Sequence, residues 1–135
     1  MSWSKALIAG AAGGFVSAIL NALMHAGIMS GTYMKYEGLF RQDSSPLWFT
    51  AVAIVIGIAG GVLFAKTRSS WAAGAKGGLN FGFFIGLVSF AAQFYTPLIY
   101  QGFPYYLSWC WGGIALISWL GFGAVAGALY KGSAA

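Results

Sequence analysis

From Gly77 to Tyr130 the chain contains no Asp, Glu, Lys, Arg or His. Two shorter uncharged runs precede this tract, Ala6 to Leu23 and Ser44 to Ala65. One crossing of a bilayer takes about 20 residues at about 1.5 Å rise each. The long tract therefore holds two crossings and each shorter run holds one. The pattern predicts an all-α integral membrane protein, with four transmembrane helices in a compact bundle forming one domain over 1–135. The expected spans are Lys5 to Met29, Pro46 to Ala65, Gly74 to Pro97 and Tyr105 to Tyr130. Pro46 suits the first turn of a helix. Pro97, Gly102 and Pro104 supply the turn that divides the long tract. Lys5 followed by Ala6 to Leu20 has the outline of a secretory leader, but it is expected to remain as the first span.

Small residues recur four apart in every span. They are Ala6, Gly10, Gly14, Ala18, Ala22 and Ala26 in the first; Ala53, Gly57, Gly61 and Ala65 in the second; Gly74, Gly78, Gly82 and Gly86 in the third; Gly123 and Gly127 in the fourth. This spacing keeps them on one face, where backbones can approach closely in an environment that offers little hydrophobic drive between helices. Such faces can pack within the chain or against other subunits.

A weak internal repeat accompanies them. Setting Ser17 over Ser89 also aligns Gly10 with Gly82, Gly14 with Gly86, Val16 with Val88 and Asn21 with Gln93. Two tandem helical hairpins would be parallel repeats, related by a pseudo-two-fold axis along the membrane normal, with the first and third spans equivalent.

Composition agrees with a membrane protein: 59% of residues are hydrophobic and 7% charged, against about 25% charged in soluble domains. The net charge of +5 does not indicate nucleic acid, because the cations sit at helix ends, where they set orientation and meet lipid headgroups. Lys5, Lys66, Arg68, Lys76 and Lys131 fall on one side; Lys35 and Arg41 fall on the other, with the only acids, Glu37 and Asp43. This bias predicts both termini in the cytoplasm, in a bacterial inner membrane or its equivalent. Aromatic residues gather toward the opposite, outer ends: Tyr33, Tyr36, Trp48, Phe49, Tyr95, Tyr100, Phe103, Tyr105, Tyr106, Trp109 and Trp111. They read as an interfacial belt, or as a platform for a flat ligand or a partner protein. Cys110 is the single cysteine, which excludes an intrachain disulfide and a Cys-based zinc site.

Polar residues inside the spans carry the candidate chemistry. Ser17, Asn21 and His25 lie four apart in the first span, and Ser89 and Gln93 do so in the third. An interhelical network Asn21–Gln93–Ser17–Ser89 is expected to tie these two helices. His25 is the only histidine. Three readings apply: a neutral side chain bonded to a carbonyl or to Asn21; an axial ligand of a chlorophyll-type pigment or haem, with Asn21 nearby; or a copper(I) ligand beside Met24, Met29 and Met34. One histidine cannot supply bis-histidine haem ligation within one chain.

No span holds a carboxylate, which argues against proton-coupled antiport. No Ser-His-Asp set, HExxH helix or phosphate loop with its Lys is present. The expected function is a small, non-catalytic accessory subunit of a respiratory or photosynthetic membrane complex, packed against other integral membrane subunits and against lipid or pigment. The alternatives are a homo-oligomeric channel or facilitator lined by the polar stripes, and a single-His cofactor-binding membrane protein.

Overall fold

The structure, a computed structural model, describes residues 1–131. The last four residues of the expected domain, 132–135, lie outside it. It is all-helical, with no strand among the described residues. The helices are α1 (Trp3–Ala22), α2 (Ser30–Met34), α3 (Pro46–Lys66), α4 (Gly74–Ala92), α5 (Thr96–Ile99) and α6 (Tyr105–Leu129). Four helical stretches are long and apolar enough to cross a membrane: Trp3–Ile28, Pro46–Lys66, Gly74–Ile99 and Tyr105–Leu129.

Two expected boundaries move for local reasons. The first span is not one α-helix, because a π-helical turn over Leu23–Ile28 follows α1. The third does not stop at Pro97. A 3-10 turn, Gln93–Tyr95, resets the hydrogen-bond register, which places Pro97 in the first turn of α5, where its missing N–H costs nothing. At the start of α3, Ser45 caps the helix through Oγ, which accepts from the Leu47 N–H at 3.3 Å. Gly102 takes φ 80°, a left-handed backbone that glycine adopts freely, in the turn before Pro104 and α6.

The glycine faces are consumed inside the chain, one pair of helices at a time. α1 packs on α3, and α4 packs on α6. A Cβ on Gly10 would lie 2.6 Å from the Gly57 carbonyl oxygen, and one on Gly61 would lie 2.6 Å from that of Ala6. A Cβ on Gly127 would lie 2.5 Å from the Gly74 carbonyl oxygen. Each expected hairpin is thus zipped by its own small residues.

The two hairpins meet through α1 and α6, giving the order α3, α1, α6, α4. Phe122 of α6 fills the space over Gly13, and Trp119 with Phe122 lies over Gly60. A full two-fold would place α3 against α4 in the same way, but these backbones stay apart. In the repeat alignment Ile85 of α4 stands where α1 has Gly13, so the bare backbone that Phe122 covers has no counterpart there. α3 and α4 meet through large side chains at one end, where Phe64 and Phe81 have ring centroids 5.2 Å apart. Phe64, Phe81, Phe122, Ala6, Ala9, Ala126 and Tyr130 form the main core there. Ser2 and Tyr130 lie at that end, where the Ser2 N–H donates to the Tyr130 hydroxyl at 3.3 Å.

Candidate functional site

At the opposite end a second, smaller core gathers Met29, Leu107 and Ile114 with Met24, Tyr33, Tyr36, Phe40, Phe103 and Cys110 around it. His25 sits beside it on the π turn, where the Met29 N–H reaches back five residues to the Met24 carbonyl. Turns of this kind recur at functional sites because the extra residue re-aims the side chains around it. His25 Nδ1 is hydrogen-bonded to the Tyr33 hydroxyl. That hydroxyl also accepts from Trp111 Nε1 at 2.7 Å. Trp111 is in turn wedged between Phe103 (centroids 5.2 Å apart) and Phe40 (6.0 Å apart).

Chemically, this is a histidine held by one nitrogen. The described hydrogen bonds engage Nδ1 only, and Nε2 is not among the buried atoms lacking a partner, so Nε2 keeps accessible surface. A hydrogen bond on one ring nitrogen fixes the orientation of the other, the arrangement by which proteins hold axial histidines. Burial pushes the Tyr33 hydroxyl up from its ordinary value, while the Trp111 N–H pulls the other way. Tyr33 therefore keeps its proton at neutral pH and can act as donor or acceptor to the imidazole. The copper(I) reading gains no geometry: Met29 is buried and Met24 packs beside it, but Met34 is 78% exposed and outside the cluster. Among the described residues no three His, Cys, Asp or Glu side chains come together.

The second polar group lies further down α1 and corrects the expected network. Ser17 Oγ donates to the Ser118 carbonyl at 2.9 Å. Asn21 Nδ2 donates to the Ser17 carbonyl at 2.9 Å and to Ser118 Oγ at 3.0 Å. The partner helix is α6, not α4, because α6 is the helix that packs on α1. Gln93 contributes only its backbone carbonyl, which accepts from Ser108 Oγ at 3.0 Å. Ser17, Asn21 and Ser118 line a groove of about 140 Å³ walled by Ala53, Ile56, Gly57 and Trp119. Ser89 and Gln93 are not part of it, so the two stripes expected to line a channel do not share this space. Asn21 Oδ1 accepts no hydrogen bond from the described residues.

The structure therefore keeps His25 and Asn21, the two expected ligand residues, on consecutive turns but in different surroundings. Sequence reasoning missed their partners. Tyr33 and Trp111 were legible only as members of the aromatic belt, and Ser118 is one of two serines in the fourth span, with nothing in the sequence to pair it with Asn21. The belt itself divides. Tyr36 pairs with Tyr106, and Trp109 packs with Phe90 and Phe94. Trp48, Phe49, Tyr95 and Tyr100 stay largely exposed. Compared with protein-family models, curated proteins and solved structures, the chain matches none.

Proposed function

We propose that the four apolar helices cross a bilayer, with both termini on the cytoplasmic side of a bacterial inner membrane or its equivalent, and that the chain is a non-catalytic subunit of a larger membrane complex of respiratory or photosynthetic type. The observation that carries this reading is Asn80. It is exposed on α4 and has no side-chain hydrogen bond among the described residues. At about 1.5 Å rise per residue it lies about 10 Å from the middle of its span, inside a hydrocarbon half-thickness of about 15 Å. An unpaired amide there faces a solvent that offers no partner, so a donor or acceptor from another chain is the natural complement. Asn80 shares its face with Phe83, Phe84, Leu87 and Val88, all 44% exposed or more. Their spacing along α4 makes one continuous stripe.

The test is purification in mild detergent followed by mass spectrometry of co-purifying chains, for the wild type and for Asn80→Leu. Partners present in the first and depleted in the second support the reading. A wild-type protein that migrates alone, with no companion chain, removes it.

A second reading, a single-His site for a chlorophyll-type pigment or haem, is favoured by one feature: Nδ1 of His25 is anchored while Nε2 is open. A visible absorption band in the purified protein that disappears in His25→Ala would establish it. A colourless preparation from cells that make tetrapyrroles would remove it.

A further inference from the structure

The net charge of this chain lies at one end. Of seven cations, Lys35 and Arg41 share the segment before α3 with Glu37 and Asp43, and Arg41 Nε meets Asp43 Oδ1 at 2.8 Å. The remaining five, Lys5, Lys66, Arg68, Lys76 and Lys131, have no acid in their part of the sequence. They surround the end where Ser2 meets Tyr130. Arg68 stands over the Phe64 ring, and Phe64 packs on Tyr130, whose hydroxyl takes the Ser2 N–H.

Arg68 differs from the four lysines in being fixed. Its Cζ is 5.9 Å from the Phe64 ring centroid. Its Nη1 donates to the Trp71 carbonyl at 2.7 Å. Trp71 is itself held, with Nε1 donating to Thr67 Oγ1 at 2.9 Å and its ring against Phe81 and Phe84. Nε of Arg68 is buried without a partner. A guanidinium is a rigid fork that pairs best with the oxygens of a carboxylate or a phosphate. This one is held in place, and among the described residues no carboxylate pairs with it.

The geometry points to Arg68 as the anchor of a binding site for the phosphate of an anionic phospholipid. Lys66 and Lys76 flank it in sequence, and Ser69 and Ser70 are exposed beside it. The lipid, and not free phosphate, is the fitting source because apolar surface continues from the same end. Leu63, Leu79, Phe83 and Phe84 are each more than 40% exposed, so acyl chains can lie against the helices while the headgroup meets the guanidinium. This inference rests on the reading that the four helices cross a bilayer.

The experiment is native mass spectrometry of the detergent-solubilised protein with phosphatidylglycerol or phosphatidylcholine. Wild type is compared with Arg68→Gln, Arg68→Lys and Lys76→Gln, each variant first shown to melt as the wild type does. A charge-assisted, bidentate contact predicts that Arg68→Gln lowers phosphatidylglycerol affinity about tenfold or more. A diffuse charge predicts only about fivefold for Lys76→Gln. Arg68→Lys retains the charge and still loses affinity if the fork matters. Arg68→Gln no worse than Lys76→Gln, Arg68→Lys equal to wild type, or equal binding of the two lipids would each overturn the site. Competition by inorganic phosphate at the concentration of the lipid would overturn the lipid as its source. Should the bilayer reading itself fail, the protein would instead be recovered from aqueous extract without detergent.

Discussion

Replacing Gly14 by Ala should loosen α1 from α3, and the structure sets the size of the effect. The added Cβ would lie 2.6 Å from the Ala53 carbonyl oxygen and 2.9 Å from the Ile54 Cα, where ordinary contact is 3.4–4 Å. Both obstacles are backbone, so no rotamer relieves them. The helices must separate locally by about 0.8 Å, and a gap of 0.5–1 Å forfeits a quarter to a half of each contact of about 0.1–0.2 kcal/mol. With about thirty atom pairs across the seam, the loss is about 2 kcal/mol, in the range known for overpacking. Gly113→Ala is the control. Nothing lies within 4 Å of its added Cβ, and it sits within α6. There the same methyl group costs no contact and improves helix propensity by up to about 1 kcal/mol. Reversible unfolding in a detergent series measures both. Equal destabilisation of the two variants, or a neutral Gly14→Ala, would refute the close approach of α1 and α3.

Further outcomes follow from the polar sites and the topology. Ser118→Ala removes one acceptor from Asn21 and should lower stability by about 1 kcal/mol, with Asn21→Leu in the same chain recovering part of the loss in the same unfolding assay. Trp111→Phe removes the N–H that draws the Tyr33 hydroxyl down, so the Tyr33 titration should move further up, read as tyrosinate absorbance against a Tyr33→Phe blank. Because the folded state raises the Tyr33 value, that contribution to stability is complete below the ordinary tyrosine value of about 10 and falls as pH rises through it. Cysteines introduced at Ser4 and Lys131, in a chain with Cys110→Ala, should react with an impermeant reagent from the same face of sealed vesicles, since Ser2 meets Tyr130.

What the sequence made legible follows the physics that acts along a chain. The absence of charge from Gly77 to Tyr130 marks two apolar helices without any knowledge of their neighbours. The glycines four apart mark faces that can be approached closely. Neither signal names the helix on the other side. Asn21 was legible as a residue needing a partner, yet the choice of Ser118 over Gln93 depends on packing order. His25 shows the same limit. Its hydroxyl partner is eight residues on, at Tyr33, and meets it only because a π turn intervenes. Spacing rules written for an α-helix do not extend across such a turn.

The packing also changes which argument supports a role in a larger assembly. Four small-residue faces could have served contacts with other subunits, but at their glycines they are filled by the chain's own helices, α1 with α3 and α4 with α6, and Ala22 and Ala26 alone of the first face stay exposed. Glycine stripes therefore give no reason to expect a neighbour. What remains for one is the polar capacity that the chain leaves open. Asn80 on the exposed side of α4 is the clearest instance, because among the described residues neither a backbone carbonyl nor another side chain takes its amide. A bare apolar helix is content in lipid, whereas an apolar helix with an unsatisfied amide is not. The case for a partner accordingly stands on one side chain and its depth, and Asn80→Leu separates the two explanations. If lipid alone covers α4, the substitution should leave the protein as stable or more so and change nothing that purifies with it. If another chain covers α4, the protein itself should stay folded and lose its companion.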